Sequence, residues 1–96
     1  MNLIAQAIAE RRLLVFYYEE LPRLVVPAIY GYTTTGKASL RGYQVGGSTR
    51  SASTSFWRLF SIGKATSVRL SPETFDSYPP GYRASDRAFT AVIARL

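Results

Sequence analysis

Arginine is the side chain with most chemistry to offer in this sequence, and Arg58 is the one whose surroundings need explaining. It stands in Phe56-Trp57-Arg58-Leu59-Phe60-Ser61-Ile62, a run of large apolar residues around one guanidinium. Strand alternation puts Phe56, Arg58, Phe60 and Ile62 on one face and Trp57 and Leu59 on the other. A guanidinium on an aromatic face either snorkels to water along its stem or sits at the rim of a pocket, where its planar fork can hold an anion or a base. Arg58 alone leaves both readings open.

The distribution of charge narrows them. Twelve basic residues outnumber six acids, for a formal net charge of +6. Residues 21–72 contain Arg23, Lys37, Arg41, Arg50, Arg58, Lys64 and Arg69 and no Asp or Glu. An ordinary solvated face mixes signs, so a body of one sign points to a partner that supplies the negative charge. Nucleic acid or a nucleotide is the natural candidate, because the arginine fork matches phosphate and its plane stacks on bases. The alternative is positive charge serving solubility alone.

Composition removes several other classes. The chain has neither Cys nor His, so disulfides, thiolate metal sites, the usual general base and the commonest metal ligand are all missing. The acids are confined to the ends, and the sequence offers no evident nucleophile-base pair or metal cluster. We expect no enzyme, no catalytic residue, no metal and no cofactor. No apolar run approaches the ~20 residues that cross a bilayer, and the basic pair Arg11-Arg12 follows the first apolar stretch instead of preceding it. The expectation is a soluble, cytoplasmic protein without a membrane partner.

The elements that must position these side chains follow from pattern. At 96 residues, 47% of them hydrophobic, the chain has room for one folded domain. Asn2 is a suitable N-cap for a helix with Leu3, Ile4, Ala7 and Ile8 at helical spacing, ending near Arg12. Strands are expected over residues 13–18, 24–32, 38–45, 56–62 and 65–70, with turns at Glu19-Glu20-Leu21-Pro22 and Thr33-Thr34-Thr35-Gly36-Lys37. Pro27 belongs at a bulge or on an edge. Residues 46–55 form a polar loop whose amides could cradle an anion. Ser71-Pro72-Glu73 reads as the start of a single helical turn, and Ser85 or Asp86 as the cap of a C-terminal helix with Phe89, Val92, Ile93 and Leu96 on one face. Between them, Tyr78-Pro79-Pro80-Gly81-Tyr82 formally matches a Pro-Pro-x-Tyr ligand but is read as a tail covering an aromatic patch. The fold class is therefore mainly β (α+β), a small antiparallel barrel with an N-terminal helix, divided into a body over residues 1–75 and a helical tail over 76–96 that packs on the body or on a partner.

The order Phe16-x-Tyr18, Arg23-x-Val25-x-Pro27, Leu40-x-Gly42-Tyr43 and Arg58-x-Phe60, with Lys64 six residues after Arg58, resembles the WYL domain of prokaryotic regulators over residues 3–75. The resemblance implies an Sm-like or SH3-like barrel behind a short helix. It also implies a basic ligand pocket lined by the tyrosine after the first strand and the arginines of the later motifs. Members bind or sense nucleic acid in transcription regulators and in accessory proteins of phage-defence and CRISPR systems. Ala38-Ser39-Leu40 stands where the family has Trp-Tyr-Leu, Lys64 where arginine is usual, and no helix-turn-helix sequence lies in front of the strands. The expected site comprises Tyr18, Arg23, Arg41, Tyr43, Arg58 and Lys64. Arg23 and Arg58 would hold phosphate or a base edge, Arg41 and Lys64 would add charge, and Tyr18 and Tyr43 would stack or hydrogen-bond. Arg23 also has Glu19 or Glu20 across its own hairpin as competing partners. The alternative function is an oligomerisation or protein-docking module, with Trp57 and the apolar helix faces as subunit contacts. Either reading allows a homodimer or a regulatory or defence protein as partner.

Overall fold

The computed structural model describes residues 2–47 and 56–96. It holds one helix, α1 (Leu3–Glu10), and six strands: β1 (Arg12–Tyr18), β2 (Leu21–Thr33), β3 (Ala38–Gly47), β4 (Phe56–Ser61), β5 (Ala65–Thr74) and β6 (Phe89–Arg95). The strands form one antiparallel sheet in the order β4-β3-β2-β1-β5, with β6 also on β2. Of the expected loop over 46–55, Gly46 and Gly47 belong to β3, and residues 48–55, Arg50 included, lie outside the described residues. No described helix is long and apolar enough to cross a membrane.

Asn2 caps α1 as its position suggests: its Oδ1 accepts the N–H groups of Ile4 (2.8 Å) and Ala5 (3.2 Å). The helix ends at Arg11 in the left-handed region, where the Arg11 N–H reaches back to Ala7 and Ile8. Ile4, Ala7 and Ile8 are buried against Leu14, Phe16, Val25, Leu40 and Phe60, which form the core. Helix and sheet thus supply each other with the apolar cover that eight helical residues would lack alone.

β4 and β5 are opposite edges of the sheet, yet a three-residue 3₁₀ turn, Ile62–Lys64, joins them. A connection that short requires the sheet to roll until its edges come close, and the nearly equal extents of 29 × 28 × 28 Å fit that shape. β2 is long enough to serve two partners on one side. It pairs with β1 from Leu21 to Val25 and with β6 from Ile29 to Thr33. Pro27, which has no N–H to donate, falls in the gap between them and beside a register shift against β3.

Two expectations need correction. Residues 71–75 start no helix: β5 continues to Thr74, which pairs with Arg12. The register jumps from Leu14↔Leu70 to Arg12↔Thr74, so Ser71-Pro72-Glu73 is bulged, and the Ser71 hydroxyl accepts the Glu73 N–H at 3.1 Å inside the bulge. The capping signal is real, but it serves a bulge. The C-terminal segment is likewise a strand. Seven residues are too few to separate the two periods, the β-branched Thr90, Val92 and Ile93 favour extension, and the free half of the β2 edge offers ladder hydrogen bonds. Asp86 does cap, accepting the Ala88 N–H at 2.9 Å, but it closes a turn. At Gly31 the approach of β6 is so close that a Cβ would run into the Ala91 carbonyl oxygen.

Candidate ligand site

Tyr18 pairs with Leu21, which leaves Glu19 and Glu20 as a two-residue hairpin. Both have positive φ, 54° and 64°, the geometry that matches the twist of tight hairpins but costs a side chain about 1 kcal/mol. The turn directs the Glu19 carboxylate back over the sheet. Its Oε1 accepts from Arg58 at 2.9 Å and from Arg23 at 3.2 Å. Two guanidinium groups from different strands therefore share one carboxylate oxygen.

Arg23 is anchored far more deeply than Arg58. Its side chain is 0% exposed, against 29% for Arg58 and 39% for Glu19. One terminal nitrogen also donates to the Tyr18 carbonyl (3.1 Å), the other to the Gln44 side-chain oxygen (3.2 Å), and the buried Nε has no hydrogen-bond partner. Burial, followed by the nearby Arg58 charge, lowers the Arg23 pKa from its ordinary value, while Glu19 works in the opposite direction. Both guanidinium carbons lie near the Tyr18 ring, 5.7 Å for Arg23 and 5.4 Å for Arg58, and Arg58 is also 5.8 Å from the Phe60 ring. The Tyr18 ring stands edge-on to Phe60 at 5.1 Å, and its hydroxyl accepts the Ser61 N–H at 3.2 Å. The pattern of β4 thus places Arg58 and Phe60 on the same side, over the core.

The other expected residues are elsewhere. Arg41 pairs with Leu59 and Tyr43 with Trp57 across β3 and β4, so they share the outer face, opposite Arg58. Arg41 donates from Nε to Asp86 Oδ2 at 2.7 Å and from a terminal nitrogen to Oδ1 at 3.4 Å. Burial would raise the Asp86 pKa, but the Arg41 hydrogen bond, the Ala88 amide and the Arg41 charge together hold it below its ordinary value. Tyr43 meets Trp57 edge-on at 5.3 Å. Lys64 lies in the 3₁₀ turn and lines a small cleft of about 340 Å³ together with Lys37, Ser61 and Tyr18. It has no ion pair among the described residues.

The structure therefore brings Tyr18, Arg23 and Arg58 together, sets Lys64 on a neighbouring cleft that touches Tyr18, and keeps Arg41 and Tyr43 on the reverse side of the sheet. Sequence reasoning offered Glu19 or Glu20 as a partner for Arg23, of which the structure selects Glu19, but missed that Arg58 shares the same oxygen. It also missed the Gln44 contact, because the parity of Gln44 depends on the register shift between Leu24 and Val25. A larger cleft of about 750 Å³, between Trp57 and the 81–87 segment, was not foreseen at all. Its signal was the cluster Arg83-x-x-Asp86-Arg87 just before the last apolar run.

No group of three or more acids suited to a metal ion occurs among the described residues. Comparison with family models, with curated proteins and with solved structures finds no match for this chain.

Proposed function

We propose that the chain is a ligand-binding regulatory module of WYL type whose Arg58 pocket takes a phosphate of nucleic acid, as a single strand or oligonucleotide, or of a nucleotide, in a prokaryotic regulatory or defence system. The observation that carries this reading is the shared Glu19 oxygen: one acid faces two guanidinium groups, so the cluster keeps a net positive charge. A carboxylate oxygen is the nearest side-chain equivalent of a phosphate oxygen, and Glu19 is partly exposed on a strained hairpin, so an incoming phosphate can replace it. Arg58 would contact the ligand. Arg23 is enclosed and acts as a positioning residue, with the Tyr18 ring holding both guanidinium groups. The fold lends support in one respect, since a short helix precedes a single antiparallel sheet whose edge strands β4 and β5 are joined by a three-residue turn. Arg41 and Tyr43 take no part in this pocket.

Fluorescence anisotropy of a labelled oligothymidylate at low salt tests the reading. Arg58→Ala should weaken binding by about tenfold and reduce the log-log salt slope by about one. Glu19→Gln should tighten binding. Equal affinity of wild type and Arg58→Ala would remove Arg58 from the site.

One observation favours a second reading, docking of a partner or a second copy. Val92 and Ile93 on β6 are 45% and 50% exposed, and among the described residues β6 pairs with β2 alone. Sedimentation at high salt separates the two, because an apolar contact persists where phosphate contacts are screened.

A further inference from the structure

We propose that the cleft between Trp57 and the 81–87 segment is a second binding site, for a nucleoside phosphate held by its base on Trp57 and by its phosphate on Arg83 and Arg87. It lies on the reverse side of β4 from the Arg58 pocket and does not rest on the function proposed there.

The cleft has the size for such a ligand, about 750 Å³, within the range of small-molecule sites. The Trp57 ring is fixed before anything arrives: its Nε1 donates to the Pro80 carbonyl at 2.7 Å, and Tyr43 packs edge-on against it. Tyr82 lies 6.4 Å from it, tilted by 33°, and is held by its own hydroxyl, which donates to the Leu96 carbonyl at 3.0 Å. Gly81 passes beside the indole with φ of 80°, and a Cβ there would come within 3.3 Å of Nε1. Two rings of fixed orientation therefore line one cleft, which is what base stacking uses.

The charges are arranged to match. Asp86 is held by Arg41 and the Ala88 amide, so the one acid in the cleft is already occupied. The same ion pair pins the segment that carries Arg83 and Arg87. Both of those arginines are exposed and line the cleft, and among the described residues neither has an ion pair. Arg41, Arg83 and Arg87 against Asp86 leave two positive charges beside the indole. An inorganic anion would have no use for the aromatic wall, and an apolar ligand would leave the guanidinium groups unused. A ring bearing a phosphate uses both.

Trp57 is the only tryptophan, so its emission reports this cleft directly. The full chain is titrated with 5′-AMP, adenosine, inorganic phosphate and a short oligodeoxyadenylate, with emission corrected for absorbance. 5′-AMP should quench Trp57 saturably, adenosine should bind about tenfold more weakly, and phosphate should leave the emission unchanged. Arg83→Ala/Arg87→Ala should weaken 5′-AMP binding by tenfold or more with an unchanged melting temperature. Arg58→Ala should leave the quenching as it is. An oligonucleotide that binds much tighter than 5′-AMP identifies a single strand as the source of the nucleotide, and equal affinity identifies the free form. The site is overturned if 5′-AMP does not quench, if the double variant binds it as well as wild type, or if adenosine matches it. Loss of quenching in Arg58→Ala would assign the nucleotide to the other pocket.

Discussion

The two faces of β4 handle positive charge in opposite ways. On the inner side Arg23 is enclosed, Arg58 lies over the rings of Tyr18 and Phe60, and one strained acid answers both cations. On the outer side Arg41 has an acid to itself, and Arg83 and Arg87 stand open to solvent in the cleft that the half-buried Trp57 indole lines. The inner guanidinium groups are already answered by Glu19, whereas the two open arginines of the outer cleft have no acid paired with them among the described residues. In so small a chain, strand alternation alone separates an enclosed, acid-bound arginine cluster from an open one.

The contrast can be broken most forcefully at Arg23. Arg23→Ala should cost about 3 kcal/mol, because it empties an enclosed volume and leaves the Gln44 side chain and the Tyr18 carbonyl without this donor. Arg58→Ala should cost less than about 1 kcal/mol. Urea denaturation of both variants checks this, and equal costs would mean that Arg58 is structural too. On the outer face, Asp86→Asn should cost about 1–2 kcal/mol at neutral pH. The sign follows from the lowered Asp86 pKa: the ionised carboxylate stabilises the fold above its unfolded pKa near ~4, and this is lost as pH falls through the lower folded value. Wild type and Asp86→Asn should therefore converge in acid, as thermal melts across pH would show. The smallest effect belongs to the hairpin. Glu20→Gly should stabilise by about 0.5–1 kcal/mol, since glycine adopts positive φ without strain and Glu20 has no ion pair among the described residues. Loss of stability in that variant would show that the turn carries no strain.

Much of the inner arginine cluster was legible. Alternation in residues 56–62 places Arg58 with Phe60 and away from Trp57, and the length of the first hairpin puts Glu19 within reach of Arg23. The outer cleft was hidden for a physical reason: Arg83 and Arg87 share a cleft with Trp57 through the Arg41–Asp86 pair, the Trp57–Pro80 hydrogen bond and the pairing of β6 with β2, all of them tertiary choices. Within seven residues the stripe Phe89, Val92, Ile93 and Leu96 suits a helix, while the β-branched content suits a strand, and the vacant β2 edge decides between them. The bulge at Ser71-Pro72-Glu73 was misread likewise, because the same Ser hydroxyl to N–H bond starts a helix or closes a bulge. The register shifts in β2 lie beyond pattern reasoning too, and with them the inward turn of Gln44.

The divided edge of β2 makes the integrity of this protein depend on its final strand. Proteolytic loss of residues 89–96 would uncover the backbone of Ile29 to Thr33, a stretch that includes the exposed Tyr32, as an open template for a strand from a neighbouring molecule. Truncated chains should then exchange strands and accumulate as oligomers, so that a clipped preparation reveals itself by its size.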